Sequence, residues 1–208
     1  KDSRRAVITL WNPLLDNERI SKDFPCNFAS TIKIRKDKLD WTTYVRSNDL
    51  IFGTGTNLWQ FSHFMEILSG WLEKDIGILR FYIDSLHVYQ DSFYDKQKVI
   101  PNTFDIYDYY KPLDARLSYD KFNAFLKEAM QFEQEWRSGV FKHDVSTDYG
   151  DYWFSFMKVI RAYNNYKYNH YEECFNDIKQ IKNEYRYSMA KWARKKELGK
   201  EINTFTDE

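Results

Sequence analysis

The chain has 208 residues, and its 31 lysine and arginine residues are balanced by 31 aspartate and glutamate residues. A net charge of zero provides no long-range field that would gather nucleic acid or an acidic membrane, so any anionic ligand must be held by a local cluster of charges. The 16 Phe, 16 Tyr and 7 Trp supply the apolar area for a core, and we therefore expect a folded chain of one or two domains.

Cysteine content and hydropathy indicate the compartment. The two cysteines, Cys26 and Cys174, are too few for a disulfide framework and predict a reducing, cytoplasmic location. No apolar run reaches membrane-spanning length and no signal peptide is visible, so we expect no membrane association. The sequence also lacks a glycine-rich phosphate loop and the spacing of a metal site.

The first half of the chain, residues 1–99, carries the strand signals. Alternating and apolar runs predict strands over 6–11, 26–35 and 39–47, with a turn at Asp37-Lys38 between the last two. The loop Gly53-Thr54-Gly55-Thr56 is followed by a helix that starts at Thr56 or Asn57 and ends near Ser69. Residues 78–89 predict a largely buried strand.

The second half, residues 100–208, is predicted to be helical. Ser118 is expected to cap a helix that ends before Gly139, a second helix spans 148–168, and a third runs without interruption over 171–196. The third helix carries a basic stretch with interleaved aromatic rings. We interpret it as a solvated helix face rather than a nucleic-acid contact. The expected fold class is α+β, with a mixed or antiparallel sheet followed by a helical tail.

Two residue types in the first half suit chemistry on an anionic substrate. Cys26 follows Pro25 at the entrance to a strand, and Arg46 lies on the strand expected to pair with it. A thiol becomes a nucleophile when it is accessible and its pKa is lowered, and a nearby arginine supplies the positive charge. Arg46 and Ser47 together suit a phosphate, because guanidinium and hydroxyl both donate to its oxygens. The alternatives are a buried structural cysteine and a strand end followed by a turn.

Further candidates could hold the rest of a nucleotide. Arg4 and Arg5 offer a second anion clamp or are solvated surface residues. Asn57 carries a donor and an acceptor on one amide, which matches the edge of uracil, although asparagine is also a good helix N-cap. His87 and Tyr89 lie two apart on a strand and share a face, where they hold a sugar hydroxyl or pack in the core.

In chain order, these segments resemble the thymidylate synthase family, which includes the pyrimidine nucleotide hydroxymethylases. The resemblance covers roughly residues 3–94. The segments that carry it are Ser3-Arg4-Arg5, Leu10-Trp11-Asn12, Pro25-Cys26-Asn27, Tyr44 to Leu50, Gly53 with Asn57, and Leu86 to Tyr89.

The resemblance implies a catalytic group of Cys26, Arg46 and Asp49. Cys26 would add as a thiolate to C6 of the pyrimidine, with Arg46 nearby. The activated C5 would then attack the one-carbon unit of the co-substrate 5,10-methylenetetrahydrofolate. Asp49 matches the aspartate that assists the nucleotide and the folate. Covalent addition replaces one difficult step by two easier ones.

The resemblance also implies the substrate-binding residues and a homodimer. Arg46 and Ser47 would bind the 5′-phosphate of dUMP, while Arg4 and Arg5 would reach the phosphate in the partner subunit, so that the two active sites are shared. Asn57 matches the amide that reads the base. Because cytidylate-specific relatives have an aspartate there, Asn57 favours dUMP. The resemblance places His87 and Tyr89 on the deoxyribose 3′-hydroxyl.

Several positions depart from the family pattern. Asn27 stands where the family usually has histidine, Val45 where it has glutamine, and Ser85 where it has aspartate, which points to a divergent branch such as a viral one. The N-terminal region of the family is not recognisable, so we expect either a portion of a longer protein or altered catalysis. The first hypothesis is dTMP formation. The alternatives are a deoxyuridylate hydroxymethylase and a non-catalytic nucleotide-binding homologue.

Overall fold

The structure is a computed structural model that describes residues 5–17, 24–90 and 113–196. The chain divides into two compact units, Lys1–Asn102 and Thr103–Glu208. The boundary expected between residues 99 and 100 lies outside the described residues and stays a prediction.

The first unit is built on one mixed sheet of four strands in the described part of the chain. The order is β1-β2-β3-β4. The first three strands are antiparallel, and β4 runs parallel to β3. The strands are β1 (Val7–Thr9), β2 (Asn27–Arg35), β3 (Lys38–Asp49) and β4 (Asp75–His87). The mixed sheet, together with the helices of both units, confirms the expected α+β class.

A two-residue turn joins β2 to β3. Lys36 and Asp37 both have positive φ, at 49° and 64°. Left-handed backbone at both central positions matches the twist of a tight hairpin, so the turn lies one residue earlier than the sequence predicted.

Among its described residues, the first unit also contains helices α1 (Pro13–Asp16) and α2 (Gly53–Trp71). Phe61 and Met65 of α2 pack with Ile32, Leu39 and Trp41 of the sheet in one buried cluster. Strand β3 forms as predicted, with Trp41, Thr43 and Val45 buried, although Thr42 between them is buried as well.

Two sequence-based expectations for this unit are wrong. Helix α2 begins at Gly53, and Phe52 precedes it without a side-chain cap, so Asn57 lies inside the helix and is not its N-cap. Strand β4 is not largely buried in the described unit, because Ile78, Tyr82 and Leu86 are each more than half exposed. All three lie on the outer strand of the described sheet, where Tyr82 stacks on Tyr44 of β3 with ring centres 5.6 Å apart.

The second unit contains four helices among its described residues. They are α3 (Tyr119–Arg137), α4 (Gly150–Lys167), α5 (Tyr171–Gln180) and α6 (Tyr185–Lys195). Ser118 caps α3 as predicted, since its side chain accepts from the Lys121 amide.

The long third helix that the sequence predicted is instead divided into α5 and α6. Ile181 is extended at ψ 130° and almost fully buried. The Lys182 amide donates to Ser155 Oγ at 2.9 Å, and the Tyr185 amide donates to Asn183 Oδ1 at 3.2 Å. Side-chain acceptors thus replace the helical carbonyls, which is how serine and asparagine compete with helix.

A buried charge network holds α4 against α5. Lys158 is fully buried, and its Nζ lies 2.8 Å from Asp144 Oδ1 and 3.0 Å from Asp177 Oδ1. Burial raises the pKa of Asp177, even though Lys158 and Arg161 both stabilise the carboxylate. The network satisfies charges that would otherwise be costly to bury.

No helix among the described residues is long and apolar enough to cross a membrane.

Candidate functional site

The predicted site residues come from the carboxyl ends of β3 and β4, the start of α2 and the segment before β2. Arg46, Ser47 and Asp49 lie in β3, and His87 is the last residue of β4. Asn57 lies in the second turn of α2, and Cys26 immediately precedes β2. Tyr89 lies two residues beyond β4. Arg5 precedes β1, and Arg4 lies outside the described residues.

Cys26 and Arg46 lie on neighbouring segments. The Arg46 amide donates to the Cys26 carbonyl at 2.9 Å. Its guanidinium donates from Nε to the Pro25 carbonyl at 3.1 Å and from Nη2 to the Phe24 carbonyl at 3.3 Å. A guanidinium has five N–H donors, so others remain for a phosphate. The structure therefore holds Arg46 against the two residues that precede an exposed thiol.

Arg46 also lines a cavity of about 440 Å³. Its guanidinium carbon lies 5.8 Å from the centre of the Trp11 ring, a distance suited to a cation–π contact. The cavity is lined by Thr9, Trp11, Pro13, Phe28, Ala29 and Arg46. This cavity is mostly apolar, opens widely to solvent and carries one cationic group.

Ser47, His87 and Tyr89 form a second group. Ser47 Oγ lies 3.4 Å from His87 Nδ1, and the ring of Tyr89 is perpendicular to that of His87 with centres 5.1 Å apart. Tyr89 is 60% exposed, which contradicts the alternative of a packed core tyrosine within the described unit. The arrangement leaves hydroxyl and imidazole groups accessible to a polar ligand.

Asp49 shapes the connection between β3 and α2. Its Oδ1 accepts from the Ile51 amide at 3.1 Å, and its Oδ2 accepts from the Phe52 amide at 3.0 Å. The carboxylate thus satisfies two amides just before the helix. Each oxygen keeps capacity for one further donor.

Asn57 belongs to a series of hydrogen-bonded side chains. It is the only member of this series that the sequence analysis identified as a ligand. Asn27 Nδ2 donates to Asn57 Oδ1 at 3.1 Å, and Asn57 Nδ2 donates to Asn48 Oδ1 at 2.8 Å. Asn48 Nδ2 donates to Thr54 Oγ1 at 2.8 Å. The sequence signal that could have identified Asn48 as a site residue is its position directly between Ser47 and Asp49, which were both predicted.

A β-bulge brings Asn27 into this series. Ala29 pairs with Tyr44, but Asn27 pairs with Val45, so β2 contains one extra residue at Phe28. In an uninterrupted register Asn27 would oppose Arg46 and point to the other face of the sheet. The bulge therefore places Asn27 on the face of Val45, where α2 packs.

The second cysteine differs from Cys26 in every relevant respect. Cys174 is fully buried in α5. Burial, with a smaller contribution from Asp177, raises the pKa of its thiol to about 11. A buried, protonated thiol is a core residue, so Cys26 is the nucleophile candidate.

A metal ion in a protein is held by a cluster of ligating side chains. Within residues 5–17, 24–90 and 113–196, no group of three or more His, Cys, Asp or Glu is arranged to hold a metal ion.

Comparison with known proteins identifies the family. The family model for thymidylate synthase matches residues 1–107, just over half of the chain. The chain therefore belongs to the thymidylate synthase family.

Two phage enzymes are among the most similar relatives. The deoxyuridylate hydroxymethyltransferase of Bacillus phage SP01 is 40% identical over 144 residues, covering 61% of this chain and 38% of that protein. The deoxyuridylate hydroxymethyltransferase of Pseudomonas phage M6 is 37% identical over 93 residues, covering 44% of this chain and 26% of that protein. The chain thus spans less than two-fifths of the length of either relative.

Among solved structures, the thermostable thymidylate synthase A from Bacillus subtilis matches 50% of this chain and 37% of that one. The identity is 25% and the TM-score is 0.45.

Proposed function

We propose that this protein transfers a one-carbon unit to C5 of dUMP through a covalent adduct with Cys26. The observation that carries the proposal is the exposed Cys26 thiol, preceded by two residues whose carbonyls accept from the Arg46 guanidinium, in a chain of the thymidylate synthase family. The two arginine hydrogen bonds to Pro25 and Phe24 fix a positive charge next to the loop of the nucleophile.

Each residue group has a role in this reaction. Cys26 Sγ bonds to C6, and the electrons of the C5–C6 double bond move toward C5 and O4, which makes C5 nucleophilic. Arg46 and Ser47 bind the 5′-phosphate, Asn57 reads the base, and His87 and Tyr89 hold the 3′-hydroxyl. After C5 has gained the one-carbon unit and lost its proton, the C6–Sγ bond breaks and Cys26 is released.

5,10-Methylenetetrahydrofolate is the co-substrate we propose, and it supplies the one-carbon unit. Asp49 is the described residue we assign to it, because each carboxylate oxygen accepts one backbone amide and retains capacity for another donor.

The comparisons favour a hydroxymethyl product. The phage hydroxymethyltransferases match this chain at 40% and 37% identity, whereas a thymidylate synthase of Lactococcus lactis matches at 26%. Loss of the C5 proton would then expel tetrahydrofolate, and water would add to the remaining methylene group on C5 as the C6–Sγ bond breaks. Formation of dTMP, the first hypothesis from sequence, would require a hydride instead and would yield dihydrofolate.

We also propose a cytoplasmic homodimer, in which Arg4 and Arg5 reach the phosphate bound by the partner subunit. The family resemblance supports this assembly. The sources of the relatives support the expected viral branch.

The test is incubation with dUMP and 5,10-methylenetetrahydrofolate, followed by identification of the nucleotide by mass spectrometry. We expect 5-hydroxymethyl-dUMP, and the Cys26→Ser variant should give none. Cys174→Ala is the matched control, because Cys174 lies in the other unit and should leave turnover intact. Formation of dTMP would support the synthase reaction. Binding of dUMP without any product would support the non-catalytic homologue. Full turnover by Cys26→Ser would refute the covalent mechanism.

A further inference from the structure

We infer that Asn27, Asn48 and Thr54 are positioning residues that fix the direction of the Asn57 amide and thereby commit the base site to uracil rather than cytosine. The inference rests on the proposed function, in which Asn57 reads the base. Its basis is the hydrogen-bonded series described above, which we call the amide relay: Asn27, Asn57, Asn48 and Thr54.

The direction of the relay is set at its Thr54 end. Thr54 Oγ1 lies 3.2 Å from the Asp49 backbone carbonyl, which can only accept, so the hydroxyl proton must point there. The Thr54 oxygen then has only lone pairs to offer Asn48. The Asn48 atom 2.8 Å away must therefore be Nδ2, and its Oδ1 faces the other way, toward Asn57.

The same logic passes along the relay. Asn48 Oδ1 needs a donor, so the Asn57 atom at 2.8 Å is Nδ2, and Asn57 Oδ1 points toward Asn27. Asn57 Oδ1 in turn accepts from Asn27 Nδ2 at 3.1 Å. Reversing the Asn57 amide would set donor against donor on one side and acceptor against acceptor on the other. The relay ends at Asn27 Oδ1, a buried acceptor without a hydrogen-bond partner among the described residues.

Packing holds the central member of the relay in place. Asn48 is only 5% exposed. A Cβ at position 53 would lie 2.8 Å from Asn48 Oδ1, so only glycine leaves space for this carbonyl. Gly53 therefore supports the amide relay, because it lets α2 approach Asn48 closely enough for the hydrogen bond between Asn48 and Asn57.

The relay leaves Asn57 with one unused N–H and one unused lone pair. Uracil presents a donor at N3 beside an acceptor at O4, whereas cytosine presents an acceptor at N3 beside a donor at N4. The bound phosphate and the position of C6 next to Cys26 fix the orientation of the pyrimidine ring. In that orientation, one direction of the Asn57 amide satisfies uracil and the opposite direction satisfies cytosine. An amide that cannot reverse reads only one of the two bases.

The three positioning residues of the amide relay have different roles. Thr54 sets the direction, Asn48 transmits it and Asn27 completes it. Asn27 also stands where the family usually has histidine, so the relay uses a residue that the sequence analysis identified only as a departure.

The test measures discrimination rather than activity. The dissociation constants of dUMP and dCMP are determined by calorimetry for the wild-type protein and for Thr54→Val, which keeps the shape of threonine but lacks the hydroxyl. We expect the ratio of the dCMP constant to the dUMP constant to fall roughly 5- to 100-fold, because the penalty for reversing the amide is removed. Binding of dUMP itself should weaken much less.

Two control variants separate direction from packing. Thr54→Ser retains the hydroxyl and should restore discrimination. Thr56→Val makes the same change one position beyond Gly55, where the hydroxyl donates to the Phe52 carbonyl outside the relay, and it should discriminate as the wild type does. If Thr54→Val fails to fold, Thr54→Ala also removes the hydroxyl that sets the direction, and the ratio should again fall.

The outcomes distinguish this inference from the function on which it rests. If Thr54→Val folds and discriminates as well as the wild type, the relay does not set the base preference, although the proposed function stands. If Thr54→Val has to be replaced by Thr54→Ala, an unchanged ratio in that variant has the same meaning. If the wild-type protein binds no dUMP, both the proposed function and the inference are refuted.

Discussion

Gly53→Ala is the substitution that tests the contact between β3 and α2 most directly. The added Cβ would lie 2.8 Å from Asn48 Oδ1 and 3.5 Å from Asn48 Cγ. Gly55 provides a matched control two residues along the same helix, because a Cβ there meets nothing within 4 Å. Both changes give the helix the same gain in propensity, so the difference between the two variants isolates the clash with Asn48.

The expected magnitudes follow from two opposing contributions. Replacement of glycine by alanine in an exposed helix stabilises by about 0.5–1 kcal/mol, and Gly55→Ala should show that gain. In Gly53→Ala the displaced Asn48 carbonyl loses its bond from Asn57 at 2.8 Å, and an unsatisfied buried amide costs about 1–3 kcal/mol. We therefore expect Gly53→Ala to be less stable than Gly55→Ala by about 1–3 kcal/mol.

The assay is urea unfolding followed by far-ultraviolet circular dichroism, with the free energy of unfolding extrapolated to water. Binding of dUMP provides a second measurement, since movement of Asn48 should disturb Asn57 and weaken the nucleotide in Gly53→Ala alone. If Gly53→Ala stabilises as much as Gly55→Ala and binds dUMP normally, the close approach of Asn48 to α2 is not as described.

Three further predictions concern other parts of the chain. Iodoacetamide at about pH 8 should label Cys26 in the native protein and Cys174 only after denaturation, because a buried thiol with a pKa of about 11 is almost entirely protonated there; native labelling of both would refute this. Lys158→Met should lower the free energy of unfolding by about 3–5 kcal/mol, whereas Lys182→Met, which breaks an exposed pair, should cost under about 1 kcal/mol; equal losses would contradict the buried network. Arg46→Lys should weaken dUMP binding about tenfold, because a lysine cannot reproduce two directed bonds together with a contact to phosphate; unchanged binding would argue against a phosphate role.

The elements that the sequence predicted well are those fixed by local pattern. The alternation of Trp41, Thr43 and Val45 locates β3, and Ser118 marks the start of α3 through its own hydrogen bond. Both signals are carried by residues close together in the chain. Interactions between residues close together in the chain were therefore enough to define both elements.

The elements that the sequence missed depend on side chains outside the segments they bound, which are nearby for the start of α2 and distant for the end of α5. The glycines and threonines of 53–56 are typical of a loop, but Asp49 satisfies the amides before the helix and Asn48 bonds to Thr54, so α2 begins there. In the same way, Ser155, 27 residues before Lys182, accepts from its amide and ends the continuous helix. Neither acceptor can be inferred from the segment it stabilises.

The candidate site shows the same division. Cys26, Arg46 and Asn57 were identified because the order of their motifs resembles a family, and order is visible in sequence. The role of Asn27 was not visible, because it depends on a bulge that changes the face of one residue and on a partner 30 positions away.

The parallel pairing of β3 with β4 has a consequence for how the protein folds. The hairpin of β2 and β3 closes through two residues, whereas β4 reaches β3 only after the chain has passed through α2. Closing the longer loop costs more entropy and depends on α2 being docked, so we expect the hairpin to form early and β4 to join late. Cys26 and Arg46 meet in the early hairpin, but His87 arrives only with β4. The proposed nucleotide site is thus completed by the last step of assembly, and a bound nucleotide would slow the first step of unfolding.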